Sequence, residues 1–340
     1  MDSVQQTRAT AAYTHTRVRT RIRTRTHVSI EMESTLSKAR RNLDTMYRYY
    51  KSKGDGFRAK HYKASLDAMK NMTSLSKEDV EQVAKGDGLR RKLLLLIETG
   101  DDFADLVKVN GDDKILAQME LERIHGIGPS KARSLVSDHR VESVLDLRER
   151  VRKKEIELTS AQTAGLRYFD DFNTSIPRTE MHKHAERMVE LIAPLSVFYI
   201  AGSYRREKST SNDIDVLLTG NRNELANVVS ALKKSGYLLN DAELAHGDLK
   251  YMGGCRLPRH KYVRRIDIMY TTPEEFPYAY MYFTGSAKFN TDVRQLAIDK
   301  GYSLNEKGLF RDGDRVAAHI RTEDDIFRFM EIPYVSPSKR

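Results

Sequence analysis

The sequence predicts an α+β fold, with helices filling the N-terminal half and a mixed, mostly antiparallel β-sheet with helices filling most of the rest. Three observations carry this. Up to residue 172, apolar positions recur at helical spacing, from "STLSKARRNLDTMYRYYKSKG" to "LTSAQTAGLRYFDDF". After "TSIPR", short runs rich in β-branched and aromatic residues take over: "VFYIAGS", "IDVLLTG", "KYMGGCRL" and "YVRRIDIMYT". Finally, 340 residues are too many for one typical compact domain, so a modular chain is expected.

Taken in order, residues 1–35 read as a disordered basic tail, because the Thr/Arg tract "THTRVRTRIRTRTH" cannot bury a core. Arginines at every second position from Arg17 to Arg25 do not make one face of an amphipathic helix, so a mitochondrial presequence is the minority reading. Residues 36–112 form a helical domain of about four helices, separated by Gly, Ser and cap-like Ser-x-x-Asp/Glu signals. A second helical block occupies residues 113–175. Residues 176–284 open with an amphipathic helix at "EMHKHAERMVELIAP" and continue with strands, interrupted by helices at "RNELANVVSALKKSG" and "PEEFPYAYMYFTG". Residues 285–340 form a small α+β cap.

Charge narrows the class of partner. With 58 Lys+Arg against 48 Asp+Glu the chain carries +10 at neutral pH, which favours a polyanion, nucleic acid before membrane. The sole cysteine, Cys255, excludes a disulfide framework and cysteine-based zinc sites. The longest apolar runs, Leu93–Ile97 and the stretch around Val197–Ala201, fall far short of a bilayer span.

The chemistry concentrates in "AGSYRREKSTSNDIDVLLTG". Residues two apart on a strand share a face, so Asp213 and Asp215 are expected to point the same way, with Ile214 and Val216 opposite. Two carboxylates side by side cost several kcal/mol unless cations neutralise them, and an all-oxygen site at a strand end suits Mg²⁺. "RRIDIMY" offers a third carboxylate, Asp267, between Ile266 and Ile268 on a second strand. Three carboxylates on adjacent strands match the needs of two-metal phosphoryl transfer. Gly202 and Ser203 form a turn whose amides can meet phosphate oxygens, and Arg206 adds charge. Arg205 reads equally well as a structural partner for a carboxylate.

With "GSYRRE…NDIDVLLT", "KYMGGCRLP", "RRIDI", "YFTGSAKFN", "HGIGPSKAR" and "IPRTEM" in place, the chain resembles the family X DNA polymerases, the beta type most closely, within the nucleotidyltransferase superfamily. The likeness runs from about residue 40 to Tyr334. It implies an N-terminal lyase-like helical domain, a helix-hairpin-helix subdomain, a nucleotidyltransferase palm and a C-terminal subdomain that meets the nascent base pair. It further implies that Asp213 and Asp215 bridge two Mg²⁺ ions, with Mn²⁺ the alternative, and that Asp267 binds the catalytic one and accepts the primer 3′-hydroxyl proton. Arg178, Gly202, Ser203, Arg206 and Asn212 would lie at the dNTP triphosphate. Tyr282, Phe283 and Gly285 would line the deoxyribose, Asn290 and Arg294 the base and template side, and Arg265 the DNA. The family pattern that the chain resembles carries Gly at the position of Asn212 and, at that of Met269, an arginine able to pair with the second aspartate.

Two further segments are expected to bind DNA without reading its sequence. In "IHGIGPSKA", Gly126 and Gly128 permit a tight turn whose amides meet a phosphate at the next helix, with Ser130 and Lys131 beside it. The resemblance adds a monovalent cation, Na⁺ or K⁺, on the carbonyls of Ile124 and Ile127. "KGDGLRRKLLLLIETG" looks like a degraded second copy. By the resemblance it places the Schiff-base lysine of a 5′-deoxyribose phosphate lyase on Lys92, whose pKa Arg90 and Arg91 are expected to depress. Arg58 and Tyr62 match 5′-phosphate contacts, although Gly88 stands where a phosphate-binding lysine is usual.

The resulting expectation is a monomeric, template-directed, gap-filling DNA polymerase of base excision repair with lyase activity. Its partners would be gapped or nicked primer–template DNA and dNTP, with no membrane, in the nucleus or alternatively the mitochondrion. The rivals are a template-independent terminal transferase and a non-catalytic scaffold for gapped DNA.

Overall fold

Leu36, Ala39, Leu43 and Met46 fall three and four residues apart, and together they form the buried face of α1 (Thr35–Ser52). Ser34 caps this helix by accepting from the Ser37 N–H. The computed structural model describes residues 33–70, 72–220, 224–316 and 319–340, so nearly all of the basic tail lies outside the described residues. Next come α2 (Gly56–Ala68), α3 (Lys77–Val83), α4 (Asp87–Thr99) and the short α5 (Leu106–Asn110). Ser76 and Asp79 make the capping box that Ser-x-x-Asp foretells, and Gly100, at φ +74°, ends α4. Leu43, Met46, Leu93 and Leu96 close the core, each contributing roughly 1.5–3 kcal/mol by burial.

A second helical core, around Leu121, Ile124, Leu135 and Leu147, is built from α6 (Asp113–Leu121), α7 (Pro129–Ser137), α8 (Val144–Arg152), α9 (Ser160–Arg167) and α10 (Phe169–Phe172). Gly165 lets α9 lie directly on the α6–α7 hairpin, since a Cβ there would stand 2.4 Å from the His125 carbonyl oxygen.

The strand-rich region runs β1 (Ile176–Pro177), α11 (Arg178–Ile192), β2 (Val197–Ile200), α12 (Gly202–Arg205), β3 (Thr210–Ser211), β4 (Ile214–Thr219), α13 (Glu224–Lys234), β5 (Leu238–His246), β6 (Lys250–Cys255) and β7 (Arg264–Thr271). Its five-stranded sheet has the order β2-β4-β7-β6-β5, with β4 and β7 parallel and the remaining pairs antiparallel. Strand β5 is not foreseen from the sequence, because it lies at an edge and two register shifts against β6 break its alternation. Ile214, Val216, Ile266 and Ile268 share a core with Met181 and Met188 of α11 and Val228 and Leu232 of α13. By alternation, Asp215 and Asp267 occupy the opposite face of the sheet.

One buried polar cluster ties α11 to this sheet. Arg264 donates to both Glu180 oxygens at 2.7 and 2.8 Å and to the Thr174 carbonyl at 2.9 Å. One turn on, buried His184 shares a 2.8 Å hydrogen bond with the Tyr237 hydroxyl. Burial pushes this imidazole down to about 4, the nearby Glu180 only partly opposing. A folded value below the unfolded value of about 6.5 means that the neutral ring stabilises the fold fully above pH ~6.5. That contribution, on the order of 3 kcal/mol, is lost as pH falls from about 6.5 toward 4. Urea midpoints measured across this window should therefore drop more steeply for the wild type than for His184→Phe.

The C-terminal region contains α14 (Phe276–Thr284), α15 (Ala287–Asp299), β8 (Ser303–Asn305), β9 (Gly308–Arg311), β10 (Asp314–Arg315) and α16 (Glu323–Phe329). Tyr278 and Met281 of α14 pack with Phe289, Leu309 and Phe327 in one core. Arg340, buried at the end of the chain, is ion-paired to Glu323 and lies 4.5 Å from the Phe289 ring centroid. No described helix is long and apolar enough to cross a membrane.

Candidate active site

Parallel pairing of β4 and β7 sets Asp215 directly opposite Asp267. Asp267 is 7% exposed, and its Oδ1 is buried without a hydrogen-bond partner. Its Oδ2 faces the Lys250 ammonium at 3.4 Å. Burial, and then the like charge of Asp267, push the Asp215 carboxyl up to about 7, with Arg206 and Lys250 pulling the other way. Sequence reasoning missed Lys250. The signal was its place at the start of "KYMGGC", where antiparallel pairing brings it opposite Met269. A cation thus stands at this register position, although β7 itself offers methionine.

The third carboxylate departs from expectation. Asp213 lies on a bend one residue before β4, not within the strand, and its Oδ2 is engaged by the Arg265 guanidinium. Among the described residues, no group of three or more His, Cys, Asp or Glu side chains is assembled to hold a metal ion. The physical reason is charge: Asp213, unconstrained by the sheet, gains more from a guanidinium than from joining two like charges. The same contact occupies the Arg265 guanidinium, which here serves Asp213.

Gly202 opens the single-turn α12 at φ +55° and lies against Asp215, where a Cβ would stand 1.8 Å from Oδ2. The Asp215 carbonyl accepts from the Ala201 N–H at 2.9 Å, tying this turn to β4. Gly202→Ala is therefore expected to cost roughly 1–3 kcal/mol through overpacking and left-handed backbone strain. A urea unfolding midpoint equal to the wild type's would show that the carboxylate moves aside freely.

Around this pair, the Ser203 hydroxyl donates to the Ser211 hydroxyl at 2.7 Å, and Asn212 is exposed beside Asp213. Arg206 donates to the Thr284 carbonyl, while its Nε is buried without a partner. Arg178 is held by the Tyr204 and Lys208 carbonyls at 3.1 and 3.3 Å and stacks on the Tyr204 ring. Arg205 takes the structural role: it donates to Glu323 at 2.8 Å and Thr284 Oγ1 at 2.6 Å and lies 3.7 Å from the Tyr280 ring centroid. Across the site, α14 ends at Gly285 with φ +68°. Asn290 donates to the Tyr282 carbonyl at 2.7 Å, Arg294 stacks over the Tyr282 ring, and Phe283 is half-buried at the same helix end.

In the α6–α7 hairpin, Gly126 has φ +83° and Gly128 precedes α7, with Ser130 and Lys131 in its first turn. Ile124 and Ile127 are buried, and the Ile124 carbonyl accepts from the Ile127 N–H at 3.0 Å. Glycines 126 and 128, His125 and Arg265 line an open cavity of about 500 Å³, so the hairpin adjoins the carboxylate face.

Lys92 departs from expectation in its chemistry. Arg90 turns to Glu81 instead of crowding the amine. Burial acts to lower Lys92, but hydrogen bonds to Asp105 and Tyr62 outweigh it, and the net shift is upward. Tyr62 is buried and stacks on Tyr50, while Arg58 is exposed and lies over the Tyr50 ring.

A mixed sheet bearing paired carboxylates, flanked by a hairpin-containing helical unit and an α+β cap, defines a polymerase-type palm with fingers and thumb. Family models match in the same order: "Fingers domain of DNA polymerase lambda" over residues 119–173, "DNA polymerase beta palm" over 175–273 and "DNA polymerase beta thumb" over 279–340. The DNA polymerase lambda of Rattus norvegicus is 31% identical over 333 residues, covering 88% of this chain and 55% of its own length. That of Arabidopsis thaliana is 29% identical over 322 residues, covering 86% and 59%. The DNA nucleotidylexotransferase of Xenopus laevis is 29% identical over 237 residues, covering 57% and 46%. The chain thus spans little more than half the length of these lambda relatives. It belongs to the family X DNA polymerases, of the beta and lambda type.

Proposed function

We propose that this chain is a template-directed, gap-filling DNA polymerase that transfers a nucleotidyl group from dNTP to a primer 3′-hydroxyl during DNA repair. The observation that carries the reading is the register pairing of Asp215 with Asp267 beside Gly202. The residues suit a divalent cation such as Mg²⁺ or Mn²⁺: one carboxylate has an orphaned buried oxygen, the other is raised by burial and then by its like-charged neighbour, and the donor set is all oxygen. Asp215 and Asp267 would hold the ions, with Asp213 joining once Arg265 releases it. Bound there, such ions lower the pKa of the attacking hydroxyl and neutralise charge on the leaving pyrophosphate.

The protein's own groups do the rest. Asp267 accepts the primer hydroxyl proton at its unpartnered Oδ1. Arg206, backed by Arg178 and the Ser203 turn, holds the triphosphate, with Asn212 at the rim. Tyr282, Phe283 and Gly285 crowd the sugar, and Asn290 and Arg294 face the base. A primer phosphate competing for Arg265 frees Asp213. The hairpin of Gly126, Gly128, Ser130 and Lys131 grips the DNA backbone, with a monovalent cation on the carbonyls of Ile124 and Ile127. Lys92, with Arg58 and Tyr62, is the lyase site. The protein acts as a monomer, in the nucleus or alternatively the mitochondrion.

Primer extension on one-nucleotide-gapped against blunt-ended duplex DNA tests the reading. Templated filling of the gap is expected. Untemplated addition of equal efficiency would favour terminal transfer, and binding without extension would leave a scaffold.

A further inference from the structure

A closely built, solvent-accessible set of titratable groups outside the carboxylate face lies around Lys92. Its side chain leaves α4 toward α2, donating to the Tyr62 hydroxyl at 2.8 Å. The ammonium is also ion-paired to Asp105, the residue preceding α5, and both side chains are largely covered, at 31% and 23% exposure. Asp105 faces a second cation, Lys108 of α5, at 3.6 Å. Tyr62 stacks on Tyr50 of α1 with ring centroids 5.5 Å apart, and Arg58 lies 5.2 Å from the Tyr50 centroid. The charged and titratable groups facing Lys92 and its partners are therefore Tyr62 and Arg58 from α2, Tyr50 from α1, and Asp105 and Lys108 from the α5 side. On α4 itself, Arg90 is occupied by Glu81.

An ion pair between exposed side chains contributes little. One that is mostly covered and shares its ammonium with a buried hydroxyl holds its partners in a single geometry. Asp105 thereby does two things. It keeps the Lys92 nitrogen in the form that has no lone pair to attack a carbonyl. It also fills, between Lys92 and Lys108, the place an incoming anion would seek.

We propose that Asp105 is a positioning residue that guards Lys92, its carboxylate having to be displaced by an anionic, aldehyde-bearing substrate such as a sugar phosphate before the amine is presented. This rests on Lys92 being the Schiff-base lysine. Once Asp105 is displaced, Lys92 releases a proton to solvent and its nitrogen attacks the aldehyde carbon. The N–C bond forms, the aldehyde oxygen leaves as water, and an imine remains.

The test uses the full chain as wild type, Asp105→Asn and Lys92→Ala, with pyridoxal 5′-phosphate as the aldehyde probe. Borohydride delivers hydride to the imine carbon while water protonates the nitrogen, so labelled Lys92 can be counted by peptide mass spectrometry. Asparagine keeps the shape of aspartate and removes its charge. Asp105→Asn is expected to label Lys92 about tenfold faster at neutral pH, equivalent to one unit of pKa, with the midpoint of the labelling–pH profile moved down. A merely structural contact would leave that midpoint in place, and an unmoved midpoint or an unchanged rate overturns the proposal. Lys92→Ala should lose the labelled peptide. Borohydride trapping on incised abasic DNA, run in parallel, separates the two readings. A shifted labelling profile without trapping in either protein upholds the guard and removes the lyase assignment.

Discussion

Asp267→Ala is expected to lower nucleotide incorporation on gapped DNA by at least about a thousandfold, while the affinity for that DNA survives. Asp267 is the only described residue that combines a place opposite Asp215 with a buried carboxylate oxygen lacking any partner. Among the described residues its one ion pair is with Lys250, which comes from the neighbouring strand and not from the helical segments proposed to grip the DNA backbone. On the proposed reading, truncation removes a proton acceptor and a cation ligand and leaves the hairpin around Gly126 and Gly128 untouched. Single-turnover extension and an equilibrium binding titration on the same gapped duplex separate the two effects. Retention of even a tenth of the wild-type rate would show that the chemistry does not run through this side chain. Asp267→Asn, which keeps the shape without the charge, should fall with the alanine variant.

Glu180→Ala is expected to destabilise the palm by roughly 3–5 kcal/mol, because it strands a buried guanidinium. Arg264 is 2% exposed and gives Glu180 two hydrogen bonds. Of its hydrogen bonds among the described residues, the one to the Thr174 carbonyl would remain. Burial pulls the Glu180 carboxyl upward, yet the Arg264 hydrogen bonds and charge more than offset this and hold it below the usual range. Because Arg264 immediately precedes Arg265, which engages Asp213, and heads the strand that carries Asp267, loss of the pair should also loosen the register at the site. Urea unfolding followed by circular dichroism gives the number. A change below about 1 kcal/mol would mean that water reaches Arg264 and that the cluster is not sealed. Replacing both partners with apolar residues of similar volume should recover much of the loss, as expected when the penalty comes from an uncompensated charge.

Much of the helical half was legible because its signals are local. The Ser76–Asp79 capping box, Gly100 after α4 and the three- and four-residue recurrence in α1 each operate within one or two turns. Strand β5 was not legible, since its alternation is broken by bulges against β6 that depend on the partner strand. Lys250 escaped for a related reason: its relevance appears only once β6 is laid antiparallel on β7. The depressed amine expected at Lys92 rested on its chain neighbours Arg90 and Arg91. In the fold its nearest partners are the Asp105 carboxylate and the Tyr62 hydroxyl, and the shift runs the other way.

Sequence alone determined that Asp215 and Asp267 would face away from their flanking residues, Ile214 and Val216 and Ile266 and Ile268, because strand alternation is a property of the backbone whatever lies beside it. It also determined that Gly202 and Ser203 would form the turn preceding those strands. Only the tertiary structure decided which charges meet: Asp213 with Arg265, 52 residues away, and Arg205 with Glu323, 118 residues away. Electrostatic attraction depends on distance through space and on burial, and neither is set until the strands and helices have chosen their neighbours.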